Sequence, residues 1–351
     1  MREFHFHGGK FEWLTFYDEK NPNVTYGKHS FFISDPKTVA ERSTFILPEG
    51  YAIKVFKNDD WQGTDIVDAT IIQNIFWLNG MAPRVKEILK FNTRTQYNHS
   101  VHLVEFIEGE RRANIPELER VAQENFITIN YGGSNLELKN AQNWIDGKYL
   151  DFGGFKIDRE AYKAKLIEKI NDITHYGHLM GENRNSYQSI DDWGVKGKRD
   201  TKYRIDKMKL DQIDFNGKSV IDIGCNLGLM LHYAEAKGAT NLTGYDTEAN
   251  IMVAREYASF RGRYALEYRG QDLSKTPPDQ KADIVFYLAM SEYLGFPEWL
   301  RDITNEMLIY EGHATTSANA VESILRGLFP KVVPLGVSED RSVRPLFICY
   351  K

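Results

Sequence analysis

The chain has 351 residues, a formal net charge of −5 and a hydrophobic fraction of 42%. This length predicts two domains, and the acidic charge argues against a protein whose main task is binding nucleic acid. Two cysteines, Cys225 and Cys349, give neither a disulfide framework nor metal-ligand spacing. No apolar run is long enough to span a bilayer, and Met1–His7 lacks the apolar core of a signal peptide. We therefore expect a cytoplasmic, reduced protein with no membrane segment and no bound metal.

Residues 1–155 are predicted to form a smaller α+β accessory domain. Alternating apolar residues and turn signals predict strands at Trp13–Tyr17, His29–Ile33, Ser43–Leu47, Tyr51–Phe56 and Val101–Phe106, with an amphipathic helix at Ile66–Leu78.

Two short motifs in this half resemble the amino-terminal lobe of protein kinases. Lys54 is the lysine of an A-I-K sequence within the strand Tyr51–Phe56, at the place where a kinase lysine binds nucleotide phosphates, and Asp151-Phe152-Gly153 matches the metal-binding triplet. The resemblance is incomplete, because no H-R-D precedes Asp151 and no glycine-rich loop precedes Lys54. Asp68 and Gln73 on the intervening helix also give Lys54 no clear glutamate partner. We interpret the half as a degenerate kinase-like lobe, or as a coincidence of short motifs. Its expected role is substrate recognition or formation of a homodimer, without phosphoryl transfer.

Residues 156–215 are predicted to be a helical linker that also covers a ligand site. A helix is expected at Arg159–Ile173. From Lys196 to Lys209 there are seven basic and two acidic residues, a local charge of +5. The alternatives for this stretch are contact with an anionic group of a ligand, attraction of an anionic substrate, and a solvated helix face.

Residues 216–351 show strands and helices in alternation, the pattern of a doubly wound α/β sheet. The expected strands are Ser219–Ile223, Leu242–Tyr245, Leu266–Tyr268, Asp283–Leu288, Leu308–Tyr310, Lys331–Val337 and Arg344–Cys349. The expected helices are Leu229–Lys237, Ala249–Phe260, Pro297–Met307 and Ala320–Gly327.

The first strand of this region ends at Asp222 and runs into a turn with glycines at 224 and 228, and the second ends at Asp246. The turn is not the G-x-G-x-x-G fingerprint of dinucleotide sites, and Asp222 would repel a pyrophosphate. A carboxylate there suits a ligand that carries an ammonium or a sulfonium. The acid that ends the next strand suits a ribose diol.

The segment from Asp222 to Gly228 has an acid, one residue and then G-x-x-x-G. This pattern resembles the first motif of class I S-adenosylmethionine-dependent methyltransferases. The resemblance implies a Rossmann-like seven-stranded sheet with a final antiparallel strand, and S-adenosyl-L-methionine as cofactor. By this resemblance Asp222, Gly224 and Gly228 would line the methionine moiety, with backbone groups from Cys225 and Asn226, and Asp246 would bind the ribose. Tyr245 or Thr247 would pack on the adenine, and Asp272, preceded by Gln271, would hydrogen-bond its amino group. Leu288 and the neighbouring Tyr287 would lie beside the transferring methyl. The segment before the sheet is expected to fold over the cofactor with Tyr187, and Arg199 or Arg204 to pair with its carboxylate.

Residues that remove a proton from the acceptor are expected after the fourth and fifth strands, where the sheet opens. His313 and Glu292 are the candidates, as general base or as a group that orients the substrate. The leading hypothesis is a methyltransferase for a small or carrier-bound metabolite, such as a sugar, nucleotide or natural-product intermediate. The alternatives are an RNA- or tRNA-modifying methyltransferase and a non-catalytic scaffold that joins a pseudokinase lobe to an inactive methyltransferase domain.

Overall fold

The computed structural model describes residues 4–6, 9–11, 13–15, 23–26, 29–32, 44–47, 51–57, 66–92, 98–105, 109–129, 138–139, 144–150, 152, 155–172, 186–263, 266–313, 317–339 and 342–351. The chain divides into two compact units. The first contains residues 1–163 and 258–265, and the second contains residues 164–257 and 266–351.

The amino-terminal unit combines small antiparallel sheets with two helices. Its strands are β1 (Phe4–Phe6), β2 (Gly9–Phe11), β3 (Trp13–Thr15), β4 (Asn23–Tyr26), β5 (His29–Phe32), β6 (Thr44–Leu47), β7 (Tyr51–Lys57), β8 (Val85–Asn92), β9 (Asn98–Glu105), β10 (Ile127–Ile129), β11 (Trp144–Ile145), β12 (Lys148–Tyr149) and β13 (Phe155–Ile157). Its helices are α1 (Ile66–Leu78) and α2 (Ile115–Glu124). Strands β6, β7, β9 and β8 form its four-stranded sheet, in that order. Lys54 lies on β7, whereas Asp151 and Gly153 of the predicted triplet fall outside the described residues.

Helix α1 has the predicted bounds but is not amphipathic. Residues 69–76 are all buried, so the helix is enclosed on every side. Its polar side chains have local partners: Asp68 pairs with Arg159, and the Gln73 amide donates to the Pro83 carbonyl at 3.0 Å. The two candidate partners for Lys54 on this helix are therefore used within the core of the unit.

The remaining elements carry the larger sheet. The helices are α3 (Arg159–Asp172), α4 (Thr201–Lys207), α5 (Leu229–Ala236), α6 (Glu248–Phe260), α7 (Ser291–Leu294), α8 (Trp299–Ile303) and α9 (Ala318–Leu328). The strands are β14 (Val220–Ile223), β15 (Leu242–Asp246), β16 (Glu267–Gly270), β17 (Ala282–Leu288), β18 (Thr304–Glu311), β19 (Lys331–Ser338) and β20 (Arg344–Tyr350).

These seven strands form one sheet in the order β16-β15-β14-β17-β18-β20-β19. The first five are parallel, and β20 lies antiparallel between β18 and β19. The predicted α/β class and seven-stranded methyltransferase-type sheet are thus confirmed. All four residues of β14 are buried, as expected for a strand in the middle of a parallel sheet. The carboxyl ends of β14, β15, β16 and β17 meet along one edge.

The prediction of a helix at Pro297–Met307 is wrong in its second half. Helix α8 ends at Ile303, and β18 begins at Thr304, four residues before the predicted strand. Thr304 is opposite Ala282 and Met307 is opposite Ile284 in the parallel register with β17. Pairing with a neighbouring strand is a long-range interaction, and here it outweighs local helix propensity.

Candidate functional site

A cleft of about 760 Å³ lies at the carboxyl edge of the sheet. It is bounded by the segments that follow β14, β15, β16 and β17, and by the region that precedes the sheet. Nine of the predicted site residues line it: Tyr187, Gly224, Asn226, Asp246, Thr247, Gln271, Asp272, Leu288 and Glu292. Ligands of open parallel sheets bind at such an edge, so its position agrees with a binding role.

The turn after β14 depends on left-handed backbone conformations. Gly224, Asn226 and Gly228 have φ values of +74°, +52° and +73°. Asparagine is one of the few side-chain-bearing residues that tolerate this region, which explains its place between the glycines. A Cβ on Gly224 would overlap the Met290 Sδ, and one on Gly228 would lie 2.5 Å from the Tyr268 hydroxyl oxygen. Both glycines are therefore required by sterics as well as by backbone conformation.

Asp246, the last residue of β15, is held by three N–H donors. Its Oδ2 accepts from the Asn226 backbone at 2.7 Å, while Oδ1 accepts from the Thr247 backbone and the Asn250 amide, both at 2.7 Å. Burial raises the pKa of Asp246, and these donors oppose the increase. The arrangement fixes the carboxylate beside the cleft and leaves acceptor capacity on Oδ2 for one further donor.

Asp222 and Arg204 form a second, unusual feature next to the turn. Asp222 is only 3% exposed, and within the described ranges no donor reaches its carboxylate. Burial raises the pKa of Asp222 to about 7, although the charge of Arg204 acts in the opposite direction. Arg204 is 1% exposed, and its Nε and Nη1 lack hydrogen-bond acceptors in the part of the chain that the structure describes. Unsatisfied buried groups of this kind are costly and often belong to a ligand site.

Arg199 has a different partner from the predicted one. It is fully buried and does not line the cleft; its Nη2 donates to Glu311 at 2.7 Å and to the Ser338 hydroxyl at 3.2 Å. The other oxygen of Glu311 accepts from the Arg204 Nη2 at 2.6 Å. Burial alone would raise the pKa of Glu311, but the charges of Arg204 and Arg199 lower it to about 2. The structure thus gives Arg199 an internal ion pair and leaves Arg204 with unused donors.

The two predicted catalytic residues lie together. Glu292, in the first turn of α7, lines the cleft, and its Oε2 is 2.9 Å from the His313 Nδ1. His313 itself is behind it, with Nε2 at 2.6 Å from the Ala289 carbonyl oxygen. That oxygen can only accept, so Nε2 carries a proton and Nδ1 faces the carboxylate. Burial lowers the pKa of His313 against the opposing effects of Ala289 and Glu292, which favours the neutral ring.

The residues after β16 reach the cleft, but their side chains also serve the local turn. The Asp272 carboxylate accepts from Ser274 and pairs with Lys275 at 2.8 Å, and these contacts lower the pKa of Asp272 to about 2. The Gln271 amide donates to the carbonyls of Thr276 and Pro277.

The remaining predicted residues act through the backbone or through packing. Cys225 is buried, and its backbone N–H donates to the Tyr245 carbonyl at 3.0 Å. Gly228 precedes α5 as its N-cap. Glu311, Asn250 and Met290 were not among the predicted site residues. Asn250 comes four residues after Asp246, and α6 begins between them; this spacing places the Asn250 amide near the Asp246 carboxylate and could have predicted the contact.

Two absences concern only the described ranges. Within them, His, Cys, Asp and Glu side chains form no group that could hold a metal ion. None of the helices that the structure describes combines the length and apolar character needed to cross a bilayer.

Residues 221–308, which include β14, β15, β16, β17 and the cleft residues after them, match the family described as "Methyltransferase domain". This part of the chain is a methyltransferase domain. The ubiquinone biosynthesis O-methyltransferase of Neisseria meningitidis serogroup C is 30% identical over 113 residues, which cover 30% of this chain and 47% of that protein. Phosphoethanolamine N-methyltransferase 1 of Zea mays is 26% identical over 168 residues, covering 46% and 30%. The chain thus spans about half the length, or less, of these curated relatives.

Solved structures also show similarity to parts of the chain. The bifunctional kinase-methyltransferase WbdD has 22% identity and a TM-score of 0.39, with 47% of this chain and 43% of that chain covered. Magnesium protoporphyrin IX methyltransferase from Synechocystis PCC 6803 with bound S-adenosylmethionine has 16% identity and a TM-score of 0.34, with coverages of 43% and 77%. At these scores neither likeness carries an argument about function. The role of the amino-terminal unit stays a prediction.

Proposed function

We propose that the methyltransferase domain binds S-adenosyl-L-methionine and transfers its methyl group to a small or carrier-bound metabolite. One observation carries the proposal: the glycine turn after β14 and the donor-held Asp246 after β15 line one cleft, and Asp222, two residues before Gly224, is a buried carboxylate that feels the charge of Arg204, a buried guanidinium with unused donors. Neither Asp222 nor Arg204 lines the cleft itself. Free α-amino acids carry the complementary pair of charges, an ammonium and a carboxylate.

The residues present fit such a cofactor. Asp222 would accept from the ammonium of the methionine moiety, and the unused Nε and Nη1 of Arg204, which lie outside the cleft lining, would be the donors for its carboxylate. Asp246 accepts from a ribose hydroxyl at the position left on Oδ2. Thr247, Gln271 and Asp272 lie farther along the same cleft, toward β16, on the side expected for the adenine.

The cofactor, when bound, supplies an electrophilic methyl group on a positively charged sulfur. The protein must position an acceptor and take its proton. Glu292 faces the cleft with its side chain 41% exposed, whereas His313 is 11% exposed, so Glu292 is the group that meets the acceptor. When no proton lies between them, the lone pair on the His313 Nδ1 and the Glu292 carboxylate oxygen repel each other. A proton taken from the acceptor can be shared between these two atoms as a hydrogen bond. The loss of the repulsion makes the Glu292–His313 pair a stronger base.

The RNA alternative depends on the basic stretch from Lys196 to Lys209. Two of its seven cations, Arg199 and Arg204, are buried and bound to Glu311, and Lys202 pairs with Asp206 at 3.4 Å. No residue of the stretch lines the described cleft. We therefore favour a small or carrier-bound acceptor.

Isothermal titration of the full chain with S-adenosylmethionine and S-adenosylhomocysteine tests the proposal, with NAD⁺ as the control ligand. We expect saturable one-site binding of the first two and none of NAD⁺. Binding of NAD⁺ in place of S-adenosylmethionine, or of neither, would refute it. Binding of neither ligand is the result that the non-catalytic scaffold hypothesis predicts.

A further inference from the structure

The cleft has two chemically different ends. Toward β15 and β16 it is polar, with three carboxylates: Asp246, Glu248 and Asp272. Toward β17 it is bounded by Leu288, Ala289, Met290, Tyr293 and Leu294, with Tyr187 from the preceding segment. If the cofactor occupies the polar end and the glycine turn, as proposed above, the acceptor must enter at the β17 end.

The β17 end of the cleft is apolar and aromatic, and it packs against the hydrophobic core of the sheet. Met290 and Leu294 pack against the buried core of the sheet, which includes Tyr287 and Tyr310. Tyr293 is 37% exposed and makes an edge-to-face contact with the His313 ring, with 5.7 Å between centroids. An exposed aromatic ring beside an apolar wall favours binding of an apolar or aromatic body.

Of the described residues that line the β17 end, Glu292 is the one with a carboxylate. Among the described residues, no lysine or arginine lines the cleft at either end. Three arginines are buried among the described residues, and all lie outside the cleft lining: Arg199 donates to Glu311, and Arg344 donates to Ser342 at 3.0 Å and to the Gly312 carbonyl at 3.3 Å. The third, Arg204, has two unused donors, which the proposed function assigns to the cofactor carboxylate. A phosphate or carboxylate at the β17 end would therefore meet the Glu292 carboxylate and, among the described lining residues, no neutralising cation, so the charge interaction opposes its binding.

We infer that the acceptor is a largely apolar, uncharged or cationic molecule, and that phosphorylated or carboxylated acceptors are excluded. The inference rests on the proposed function, because that function places the acceptor at the β17 end. It narrows the substrate class by charge: neutral aryl alcohols and related compounds fit, whereas sugar phosphates, nucleotides and RNA do not.

Three phenols of nearly equal size separate charge from shape: tyramine (+1), 4-propylphenol (0) and 3-(4-hydroxyphenyl)propanoate (−1). Their dissociation constants are measured by NMR titration on the full chain saturated with S-adenosylhomocysteine. We expect tyramine and 4-propylphenol to bind at least 10-fold more tightly than the propanoate. Glu292→Gln should shrink the difference between tyramine and the propanoate several-fold. The matched control Glu298→Gln changes an exposed glutamate outside the cleft and should leave the difference unchanged.

The outcomes are distinct for the two proposals. If S-adenosylhomocysteine binds but the propanoate binds as tightly as the other phenols, or none of the three binds, the acceptor class is wrong and the proposed function stands. If S-adenosylhomocysteine itself does not bind, the proposed function fails, and the acceptor class fails with it. An equal effect of Glu292→Gln and Glu298→Gln would also overturn the assignment, because the discrimination would then not originate in the cleft.

Discussion

Asp222 is predicted to lower the stability of the unliganded protein while being required for cofactor binding. Its pKa is about 7 in the folded chain against 3.8 for a free side chain, because burial disfavours the charged form. At about 1.36 kcal/mol per pKa unit, the roughly three-unit difference corresponds to a penalty on the order of 4 kcal/mol. Since the folded pKa is raised, the contribution of Asp222 to stability is most favourable below about pH 4 and is lost as the pH rises through 7.

The substitution Asp222→Asn removes this penalty. At pH 8.5 we expect the unliganded variant to be more stable than the wild type by an amount approaching 4 kcal/mol, measured by urea unfolding. At pH 5 most of the gain should disappear, because the wild-type carboxyl is then protonated in the folded state. Asp302→Asn, which neutralises an exposed aspartate of the same unit, should show no such pH-dependent gain.

The same variant should lose cofactor affinity. The ammonium of S-adenosylhomocysteine would face an amide in place of a carboxylate, at a cost of about 2–3 kcal/mol, or roughly 30- to 150-fold in Kd. Titration calorimetry at pH 8.5 measures this. A variant that is less stable than the wild type at pH 8.5 and binds S-adenosylhomocysteine normally would refute the reasoning on both counts.

Three further outcomes are expected. Asp246→Ala should weaken S-adenosylhomocysteine binding by about 1–3 kcal/mol in calorimetry, because it removes the acceptor for the ribose and leaves three N–H donors unpaired; unchanged affinity would remove its assigned role. Gly224→Ala should lower the melting temperature more than Gly194→Ala, since both positions have positive φ but a Cβ at Gly194 has nothing within 4 Å, whereas one at Gly224 would overlap Met290; Met290→Ala should restore part of the loss. Binding of S-adenosylmethionine near pH 7 should release a fraction of a proton as the ammonium lowers the pKa of Asp222, so the binding enthalpy should differ between phosphate and Tris buffers; equal enthalpies would contradict this.

The sequence by itself was sufficient for the architecture of the larger sheet. Its strands are continuous apolar runs separated by helices with regular spacing, and both signals are local. The turn from Gly224 to Gly228 and the acid at 246 were equally readable, because a left-handed turn restricts residue choice at each position. Boundaries that depend on strand pairing could not be predicted from local sequence. Residues 304–307 were predicted to be helical, but in the folded chain they pair with β17 and form the start of β18.

Side-chain partnerships were decided only by the tertiary structure. Arg199 and Arg204 are equivalent cations in the sequence, and either one was expected to pair with a cofactor carboxylate. Glu311, more than 100 residues away along the chain, binds both arginines; Arg199 also donates to the hydroxyls of Tyr187 and Ser338, whereas two donors of Arg204 stay unused. Likewise, Glu292 and His313 were rival bases in the sequence, whereas in the folded chain they form one pair with Glu292 toward the cleft. Local sequence specifies which elements form, but ion pairs and hydrogen bonds act over a few ångströms, so their assignment requires distant segments to be brought together.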